Sequence, residues 1–535
     1  MIRRFVYPLV LVSVFALLAA GCGVPEQGDS TRRGTVPRED LTLAIGGEPS
    51  EGFDPTTGWG RYGSPLFHST LLARDNNLRI VNDLAERWRV SEDALTWTVT
   101  IRRDVKFSDG SPLTAEDVAY TFRTAAASSS LVDLSILKDA VALDESTVQF
   151  RLKHPQSTFV NRLVSLGIVP KRLHNKDYAM NPVGSGPYKL VQWDKGQQLI
   201  VEANPYYYGP KPFFKKITFL FLGEDAAFAA AKAGQVDLAA VPHLFAKQRI
   251  AGMRLVAVNS VDNRGIMFPV VPSGQKTRDG YPIGNDVTAD PAIRKAINAA
   301  IDRKTLVENV LEGFGSPAYT ICDNLPWWNP ETVIKDADPA GAKKLLIEAG
   351  WKDTDGDGVL EKNGLPARFT LLYPAGDQTR QSLALAVADM VKAVGIEIKV
   401  EGKSWDEIKT LMHFNAVLFG WGSLDPQEMY NVYHGRNRGV DWYNTGFYSN
   451  PAVDAYLDKA VTARTEEEAI FYWKKAQWDG ATGLSAKGDA PWAWLVNINH
   501  CYFVRKDLDI GNSRIESHGH GWPITANILE WRWKK

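Results

Sequence analysis

The sequence contains few cysteines and almost no net charge. Only 3 of its 535 residues are cysteine, and 61 Lys and Arg residues offset 62 Asp and Glu residues to a formal net charge of −1. A chain this close to neutral has no electrostatic attraction for nucleic acid or for an anionic membrane surface, and nucleic-acid binding is excluded. Cys322 and Cys501 lie too far apart in the sequence to form a zinc motif. Whether they form a disulfide or are buried separately is left open by the sequence.

Two common catalytic motifs are also absent. The chain contains no Gly-x-Ser-x-Gly nucleophile motif and no His-Glu-x-x-His metalloprotease motif. Neither Cys322 nor Cys501 has the basic or helix-start surroundings of a reactive thiol. We therefore expect no enzymatic activity, and a hydrolase is the weakest interpretation of this sequence.

The remaining composition is typical of a large globular protein. Hydrophobic residues make up 44% of the chain and charged residues 23%, which is too apolar for a disordered chain. At roughly 150 residues per domain, the length corresponds to about three or four domain-sized units. The 17 tryptophans belong either to the cores or to a ligand cleft.

The N-terminal residues have the order of a bacterial secretion signal. Two arginines precede an apolar run over residues 5–20, which is followed by Gly21 and Cys22. The run is shorter than the roughly 20 residues of a membrane span, and its end resembles a lipobox, in which cleavage precedes a cysteine that becomes lipidated. We expect residues 1–21 to be removed, Cys22 to carry a lipid that anchors the exported protein to the cell membrane facing the periplasm or cell exterior, and residues 22–40 to include a flexible tether.

Short strands alternate with helices along the rest of the chain. Residues 41–45 and 97–101 alternate apolar and polar side chains as strands do. Thr114, with Asp117 three residues later, is typical of a helix start. Further strands are predicted at residues 217–222, 369–373 and 396–400, and helices at 225–233, 291–309, 340–349, 380–394, 451–463 and 466–478. This alternation predicts an α/β protein with mixed sheets.

Several segments resemble the signature of the family 5 extracellular solute-binding proteins, which serve ABC importers of peptides and nickel. The segments are KFSDGSPLTAEDV at 106–118, GSGPY at 184–188, NPYY at 204–207, AGQVD at 233–237, RKAIN at 294–298 and NPAVD at 450–454. They occur in family order over almost the whole mature chain. The turns among them use glycine and proline for the backbone angles that tight turns need, so they identify a fold and not a ligand.

The resemblance implies a three-lobed fold of the periplasmic-binding-protein type, class II with an inserted extra domain, in which mixed sheets flank a cleft closed by a hinge. Lobe I is expected to comprise residues 41–75, 184–287 and 503–535, lobe II residues 76–183 and lobe III residues 288–502. The partners implied are ABC permease subunits with cytoplasmic ATPases, and the protein is expected to be a monomer. A ligand sensor or chaperone without transport is the alternative from another functional class.

Peptide binders of this family hold the peptide's amino terminus with an Asp, located between a Trp and a later Asp-Pro pair. Here the segment reads WGSLDP at 421–426 and has no Asp before the pair. A buried ammonium without a partner costs several kcal/mol. Oligopeptide or dipeptide binding is therefore the alternative interpretation, and it requires Asp425 to take over the missing position.

The histidines favour nickel instead. The C-terminal region resembles a nickel-importer subgroup in which histidines bind Ni(II), often beside a small chelator such as free histidine, and no other cofactor is expected. Imidazole suits nickel, and the candidate metal ligands are His68, His500, His518 and His520. Ordinary hydrogen-bonded histidines are the alternative for each of them.

Further residues are candidates for contact with an organic ligand. Arg264 follows a strand near the expected hinge, and a guanidinium there suits a carboxylate, although a surface ion pair is an alternative. Trp421, Tyr430 and Trp442 are candidates for stacking on a chelator, with core packing as the alternative.

The segment DTDGDG at 353–358 begins like a calcium-binding loop with oxygen ligands at alternate positions. The twelfth position of such a loop is Gly364, where a bidentate Glu is needed. We therefore interpret the segment as a polar turn between a helix and the strand near Phe369.

Overall fold

The computed structural model describes residues 38–49, 52–62, 66–128, 132–519 and 522–534. From Glu39 onward these residues belong to one compact unit. The predicted signal peptide, the predicted lipidation site Cys22 and most of the predicted tether lie outside the described residues, as does His520. No helix in the described ranges is long and apolar enough to cross a membrane.

Three large sheets organise the unit. A seven-stranded mixed sheet has the strand order Met253–Val258, His500–Arg505, Leu238–Val241, Asp40–Ala44, Lys216–Leu220, Gln198–Ala203 and Tyr188–Asp194. A six-stranded mixed sheet has the order Gly315–Pro317, Trp492–Ile498, Asn263–Met267, Ala416–Trp421, Arg368–Pro374 and Glu397–Lys403. An antiparallel sheet consists of Ala85–Val90, Thr96–Ile101, Thr147–Leu152 and Leu137–Ala142. The predicted α/β class with mixed sheets is confirmed.

Helices connect and cover these sheets. The α-helices that the structure describes are Ala115–Ser128, Val160–Ser165, Glu224–Lys232, His243–Ala246, Asp286–Ala289, Pro291–Ala300, Arg303–Asn309, Pro339–Glu348, Gln378–Lys392, Trp405–Leu411, Gln427–Tyr433, Pro451–Thr462 and Glu466–Gln477. Two-stranded ribbons pair Leu72–Arg74 with Ile80–Asn82, Gln275–Lys276 with Pro282–Ile283, Glu361–Lys362 with Leu365–Pro366, and Leu508–Asp509 with Arg532–Trp533.

One predicted helix is two helices in the structure. The apolar spacing predicts a single helix over residues 291–309, but Ile301 is extended and Asp302 caps a second helix by accepting the Thr305 N–H at 2.9 Å. An Asp side chain that competes for backbone N–H groups favours such a helix start over a helix interior. The first helix ends at Ala300 for this reason.

The chain crosses twice between the seven-stranded and six-stranded sheets. One crossing is residues 259–262, between Met253–Val258 and Asn263–Met267, and the other is Asn499, between Trp492–Ile498 and His500–Arg505. These short crossings are what a two-strand hinge requires. Sheet pairing thus divides the first and third lobes at these crossings, whereas the sequence-based limits lie at 287 and 502.

Each lobe has a buried core of its own. The helix Ala115–Ser128 packs its apolar face on the four-stranded sheet, where Phe122 and Phe150 contact each other with ring centroids 4.6 Å apart. In the six-stranded sheet, Trp492 and Trp494 stack at 4.6 Å. Cys322 and Cys501 are both buried as free thiols. The sequence left open whether they form a disulfide, and in the structure they do not. Burial raises the pKa of the Cys501 thiol to about 12 and also raises the pKa of the Cys322 thiol, as is typical of cysteines that are not reactive.

Candidate functional site

A cavity of about 270 Å³ lies where the lobes meet. Its wall combines residues of the first segment of the chain, of the four-stranded lobe, of the loop after Ala416–Trp421 and of the C-terminal segment; among them are Arg61, Tyr62, His68, Arg162, Ser423 and Asp425. We call this cavity the chamber. Because its wall is drawn from every lobe, its shape depends on how the lobes are arranged.

Contacts across the chamber hold the lobes together. Asp425 forms an ion pair with Arg162 at 3.2 Å and accepts a hydrogen bond from the Asn161 side chain at 2.9 Å. Arg74 donates to the Leu424 carbonyl at 2.9 Å and to the Asn161 side chain at 2.5 Å. Burial raises the pKa of Asp425 despite the charge of Arg162. The carboxylate that the peptide interpretation needs is therefore already matched by a guanidinium.

Asp262 is the centre of a second group of charges, at the first hinge crossing. It accepts a hydrogen bond from Arg264 at 2.5 Å and lies 2.6 Å from His518 Nδ1 and 3.2 Å from His500 Nε2. Burial alone would raise the pKa of Asp262, but the Arg264 charge and the two imidazoles hold it well below its ordinary range. Two of the predicted metal ligands thus converge on one carboxylate. Arg264 is buried and is paired with that same carboxylate.

His500 is held on both sides of its ring. Its Nδ1 lies 2.5 Å from Glu516 Oε2, which also accepts the Tyr502 hydroxyl at 2.8 Å, while its Nε2 faces Asp262. Burial lowers the pKa of His500, but the two carboxylates outweigh it and raise that pKa to about 9. The ring is an imidazolium at neutral pH, and binding a metal would require it to lose a proton.

His518 suits the role of a metal ligand better than His500 does. Burial lowers its pKa, although the Asp262 carboxylate acts in the opposite direction. The centroid of its ring lies 6.1 Å from the ring of Tyr62 on the chamber wall. His68 also lines the chamber, buried, with Nε2 2.8 Å from the Tyr178 hydroxyl. In the described ranges, no group of three or more His, Cys, Asp or Glu ligand atoms within 4.8 Å of one another includes His68, His500 or His518.

The predicted aromatic residues occupy different environments. Trp421 ends a strand of the six-stranded sheet and stacks on Tyr443 with centroids 5.9 Å apart. The Tyr430 hydroxyl donates to Asp458 at 3.1 Å, and its ring stacks on His434. Trp442 packs edge-on against Trp405 and Phe419 in the core of the third lobe. Of these three residues, Trp421 is the nearest in sequence to the chamber wall, because Ser423 of that wall follows it by two residues.

Several residues of the site carry no sequence signal. Tyr62, Arg162, Asp262 and Tyr443 stand in segments without a motif, and the fold alone brings them together. Glu428 is the exception. It follows the Asp425-Pro426 pair by two residues, so its position in the sequence makes it a second carboxylate candidate in this loop. Its half-buried carboxylate accepts the N–H of Ser423 at 3.1 Å and of Gly422 at 3.4 Å.

The acidic turn at residues 353–358 is a separate feature. The carboxylate oxygens of Asp353, Asp355, Asp357 and Glu361 lie within 4.8 Å of one another. Asp353 accepts the N–H of Gly356 at 2.7 Å, as in a polar turn. The four side chains are largely exposed, and exposed acidic groups often cluster without a metal.

Comparison with known proteins agrees with this architecture. Residues 79–441 match the profile of the bacterial extracellular solute-binding proteins, family 5 Middle. The chain is 35% identical over 518 residues to Protein XP55 of Streptomyces lividans, covering 94% of this chain and 91% of that protein. It resembles the structure of NikZ from Campylobacter jejuni in complex with Ni(L-His), with 27% identity, a TM-score of 0.78, and coverage of 93% and 100%. It also resembles the oligopeptide-binding protein AppA of Bacillus subtilis in complex with a nonapeptide, with 25% identity, a TM-score of 0.74, and coverage of 94% and 100%.

Proposed function

Because the chain belongs to the family 5 bacterial extracellular solute-binding proteins, exported components of ABC importers, we propose that its solute is nickel, captured as the ion or as a small chelate. The chamber between the lobes is the proposed site. Two structures similar to this chain hold the two classes of ligand that are compared here. NikZ binds Ni(L-His), and AppA binds a nonapeptide.

The size of the chamber is the observation that carries the proposal. A cavity of about 270 Å³ lies just below the roughly 300–1,000 Å³ typical of small-molecule sites. It suits one metal with one or two amino-acid-sized chelators, whereas a nonapeptide needs far more room. The ion pair between Asp425 and Arg162 limits the chamber on one side.

The chemistry of the wall also supports a chelate of amino acids. His518 provides an imidazole near Tyr62, and His68 provides a second histidine on the wall. Arg61 lines the chamber and has no carboxylate within ion-pair distance among the described residues, so its guanidinium suits a chelator's carboxylate. Free histidine offers such a carboxylate together with nitrogen ligands.

A short peptide is the second candidate, and Glu428 favours it. This carboxylate lies behind Ser423 and is not paired with a cation in the described part of the chain. A peptide ammonium that reached this loop would favour the ionised form of the carboxyl group. In either case the solute is delivered to the permease of the importer, and Cys22 is proposed as the lipid anchor that keeps the protein at the membrane.

The proposal is tested by the stability of the purified full chain in thermal unfolding. Nickel, zinc and copper are added singly, each with and without L-histidine, and a mixture of di- and tripeptides is added separately. Stabilisation by nickel with histidine is expected, since a ligand that binds the folded state raises the unfolding temperature. Stabilisation by peptides alone would replace nickel with the peptide candidate.

A further inference from the structure

We propose that residues 514–518 form a third strand of the hinge and couple the chamber wall to the movement of the lobes. We call this segment the strap; it lies between the strands Leu508–Asp509 and Arg532–Trp533. The two crossings of the hinge are covalent, whereas the strap is connected to them by hydrogen bonds. The inference rests on the proposed function only for the location of the solute, and it holds for a nickel chelate and for a peptide alike.

The strap lies beside the first crossing as a neighbouring β-strand would. Glu516 and Ser260 form a parallel β-bridge. The Glu516 N–H donates to the Asn259 carbonyl at 2.9 Å, and the Glu516 carbonyl accepts the Val261 N–H at 2.8 Å. Hinges absorb their changes in φ and ψ at a few residues, so these two hydrogen bonds limit the angles that the crossing can adopt.

The Glu516 side chain extends from the first crossing to the second. One of its carboxylate oxygens lies 2.5 Å from His500 Nδ1 and accepts the Tyr502 hydroxyl at 2.8 Å. His500 is the first residue after the second crossing, Asn499. A single residue of the strap therefore contacts both connections between the two sheets.

The residues that follow Glu516 fasten the strap to two different parts of the chain. The Ser517 hydroxyl donates to the carbonyl of Tyr62, which lines the chamber, at 2.7 Å. The His518 N–H donates at 2.8 Å to the carbonyl of Gly422, in the loop that follows the third-lobe strand Ala416–Trp421. When the lobes move apart, these hydrogen bonds and those to the crossings cannot all keep their lengths.

Four residues of the strap also form part of the chamber wall: Arg514, Ile515, Glu516 and Ser517. A solute in the chamber therefore lies against the same backbone that bonds the hinge. Each hydrogen bond of the strap contributes only about 0.5–1.5 kcal/mol net, because water replaces it when it opens. The strap can thus change partners without the unfolding of a lobe, and a solute that contacts it favours one arrangement over the other.

The residue types of the strap favour this role over simple packing. Glu516 and Ser517 are polar, yet each is only 3% exposed. A buried polar group is costly unless it is hydrogen-bonded, so these side chains fix one position of the strap. Arg514 adds a further anchor, because its side chain donates to the Asn76 side chain at 2.9 Å and to the Arg74 carbonyl at 3.1 Å. The strap is therefore held at a defined position beside the hinge.

The first test is hydrogen–deuterium exchange by mass spectrometry, on the full chain without solute, in the peptide that contains Val261. Ser517→Ala removes the bond to Tyr62 and leaves the backbone bonds of Glu516 in place. Exchange at Val261 is expected to be about 5-fold faster, because a strap with one anchor fewer opens more often. Ser485→Ala is the matched control and is expected to change nothing. Ser485 is also 3% exposed, and its hydroxyl has no partner in the part of the chain that the structure describes.

Exchange far from the hinge separates this role from a general loss of stability. Exchange in the four-stranded sheet is expected to be the same in the wild type and in Ser517→Ala. Tyr502→Phe removes only the hydroxyl that bonds Glu516, and it should also speed exchange at Val261, which covers the case that Ser517→Ala does not fold. Exchange at Val261 that neither variant changes would overturn the inference, and so would an equal increase in every sheet.

The second test measures the distance between the lobes with spin labels on Val191→Cys and Leu385→Cys. Both positions are exposed, one on the seven-stranded sheet and one on a helix of the third lobe, whereas Cys322 and Cys501 are buried. The probes are the nickel–L-histidine complex and a set of di- and tripeptides. We expect Ser517→Ala to broaden the distances without solute and to close less completely with whichever probe binds.

The outcomes separate the inference from the proposed function. A broader distribution in Ser517→Ala, with no binding of either probe to the wild type, supports the strap and removes both proposed solutes. Distance distributions that Ser517→Ala leaves unchanged, with and without a bound probe, would overturn the strap and leave the proposed solute standing.

Discussion

Asp425 and Arg162 form an ion pair 3.2 Å long between the six-stranded and four-stranded lobes. A second contact across the same boundary is the hydrogen bond from the Thr158 hydroxyl to the Gln427 side chain, at 2.8 Å. Both contacts involve the loop that follows Trp421 and the helix that holds Glu428. The loop after Trp421 therefore carries contacts that join these two lobes beside the chamber.

Substituting Arg162 is expected to open the chamber. Arg162→Met leaves the buried Asp425 without its cation, and breaking a buried pair in this way costs about 3–5 kcal/mol. We expect a larger radius of gyration by small-angle X-ray scattering in the presence of ligand, and faster ligand dissociation.

Adding Asp425→Asn to Arg162→Met removes the unpaired charge and is the matched control. The double variant is expected to recover most of the stability, but not the slow dissociation. If Arg162→Met dissociates ligand at the wild-type rate, the ion pair does not hold the chamber closed.

Substituting the C-terminal histidines is expected to weaken nickel binding. His518→Ala with His520→Ala should lower the nickel affinity about 10-fold or more, because it removes proposed nitrogen ligands. His500→Ala should have a smaller effect, because both ring nitrogens of His500 already face carboxylates. His243→Ala is the control, since His243 is a buried histidine that hydrogen-bonds the Asn499 carbonyl at 2.9 Å. Unchanged affinity in the double variant of His518 and His520 would contradict a histidine site for nickel.

The stability of the ligand-free protein is expected to depend on Glu428 as the pH rises. The pKa of Glu428 is raised to about 8, so the folded state binds its proton more tightly than the unfolded state does. This contribution to stability is fully present below the unfolded pKa near 4.5 and is lost as the pH rises through 8. Glu428→Gln should therefore be more stable than the wild type at pH 9, by on the order of 2–3 kcal/mol, and the two should converge near pH 5 in urea unfolding. Parallel pH curves would contradict a raised pKa of Glu428 in the folded state.

Gly184 is expected to tolerate no side chain. A Cβ atom at Gly184 would lie 1.9 Å from the Phe67 carbonyl oxygen, whereas one at Gly223 would meet nothing within 4 Å. Gly184→Ala should lower the free energy of unfolding by about 3 kcal/mol, and Gly223→Ala by less than about 1 kcal/mol. Equal unfolding midpoints for the two variants would contradict the close approach of these segments.

Much of the fold could be predicted from the sequence because its signals are local. The strand at residues 369–373 and the helix at 451–463 match Arg368–Pro374 and Pro451–Thr462 to within a residue or two, since apolar periodicity and capping residues are set by near neighbours. The break at Ile301 was missed, because apolar spacing continues through a residue that the Asp302 cap holds extended.

The site could be predicted only in part, because its contacts are long-range. The histidine residues are visible in the sequence, but their partners are not: Asp262 is 238 residues from His500, and Arg162 is 263 residues from Asp425. Charge balance decides which carboxylate remains available for a ligand, and that balance exists only in the folded chain. For this reason the sequence could name Asp425 as a candidate for the peptide alternative, but not its ion pair with Arg162.

The most direct test of the central claim is to measure how much nickel the full chain binds, by calorimetric titration with the nickel–L-histidine complex and elemental analysis of the product. We predict one nickel per chain, with binding weakened at least 10-fold in the chain carrying both His518→Ala and His520→Ala. No binding of nickel in any form, together with binding of a short peptide, would contradict the account of a nickel-capturing chamber.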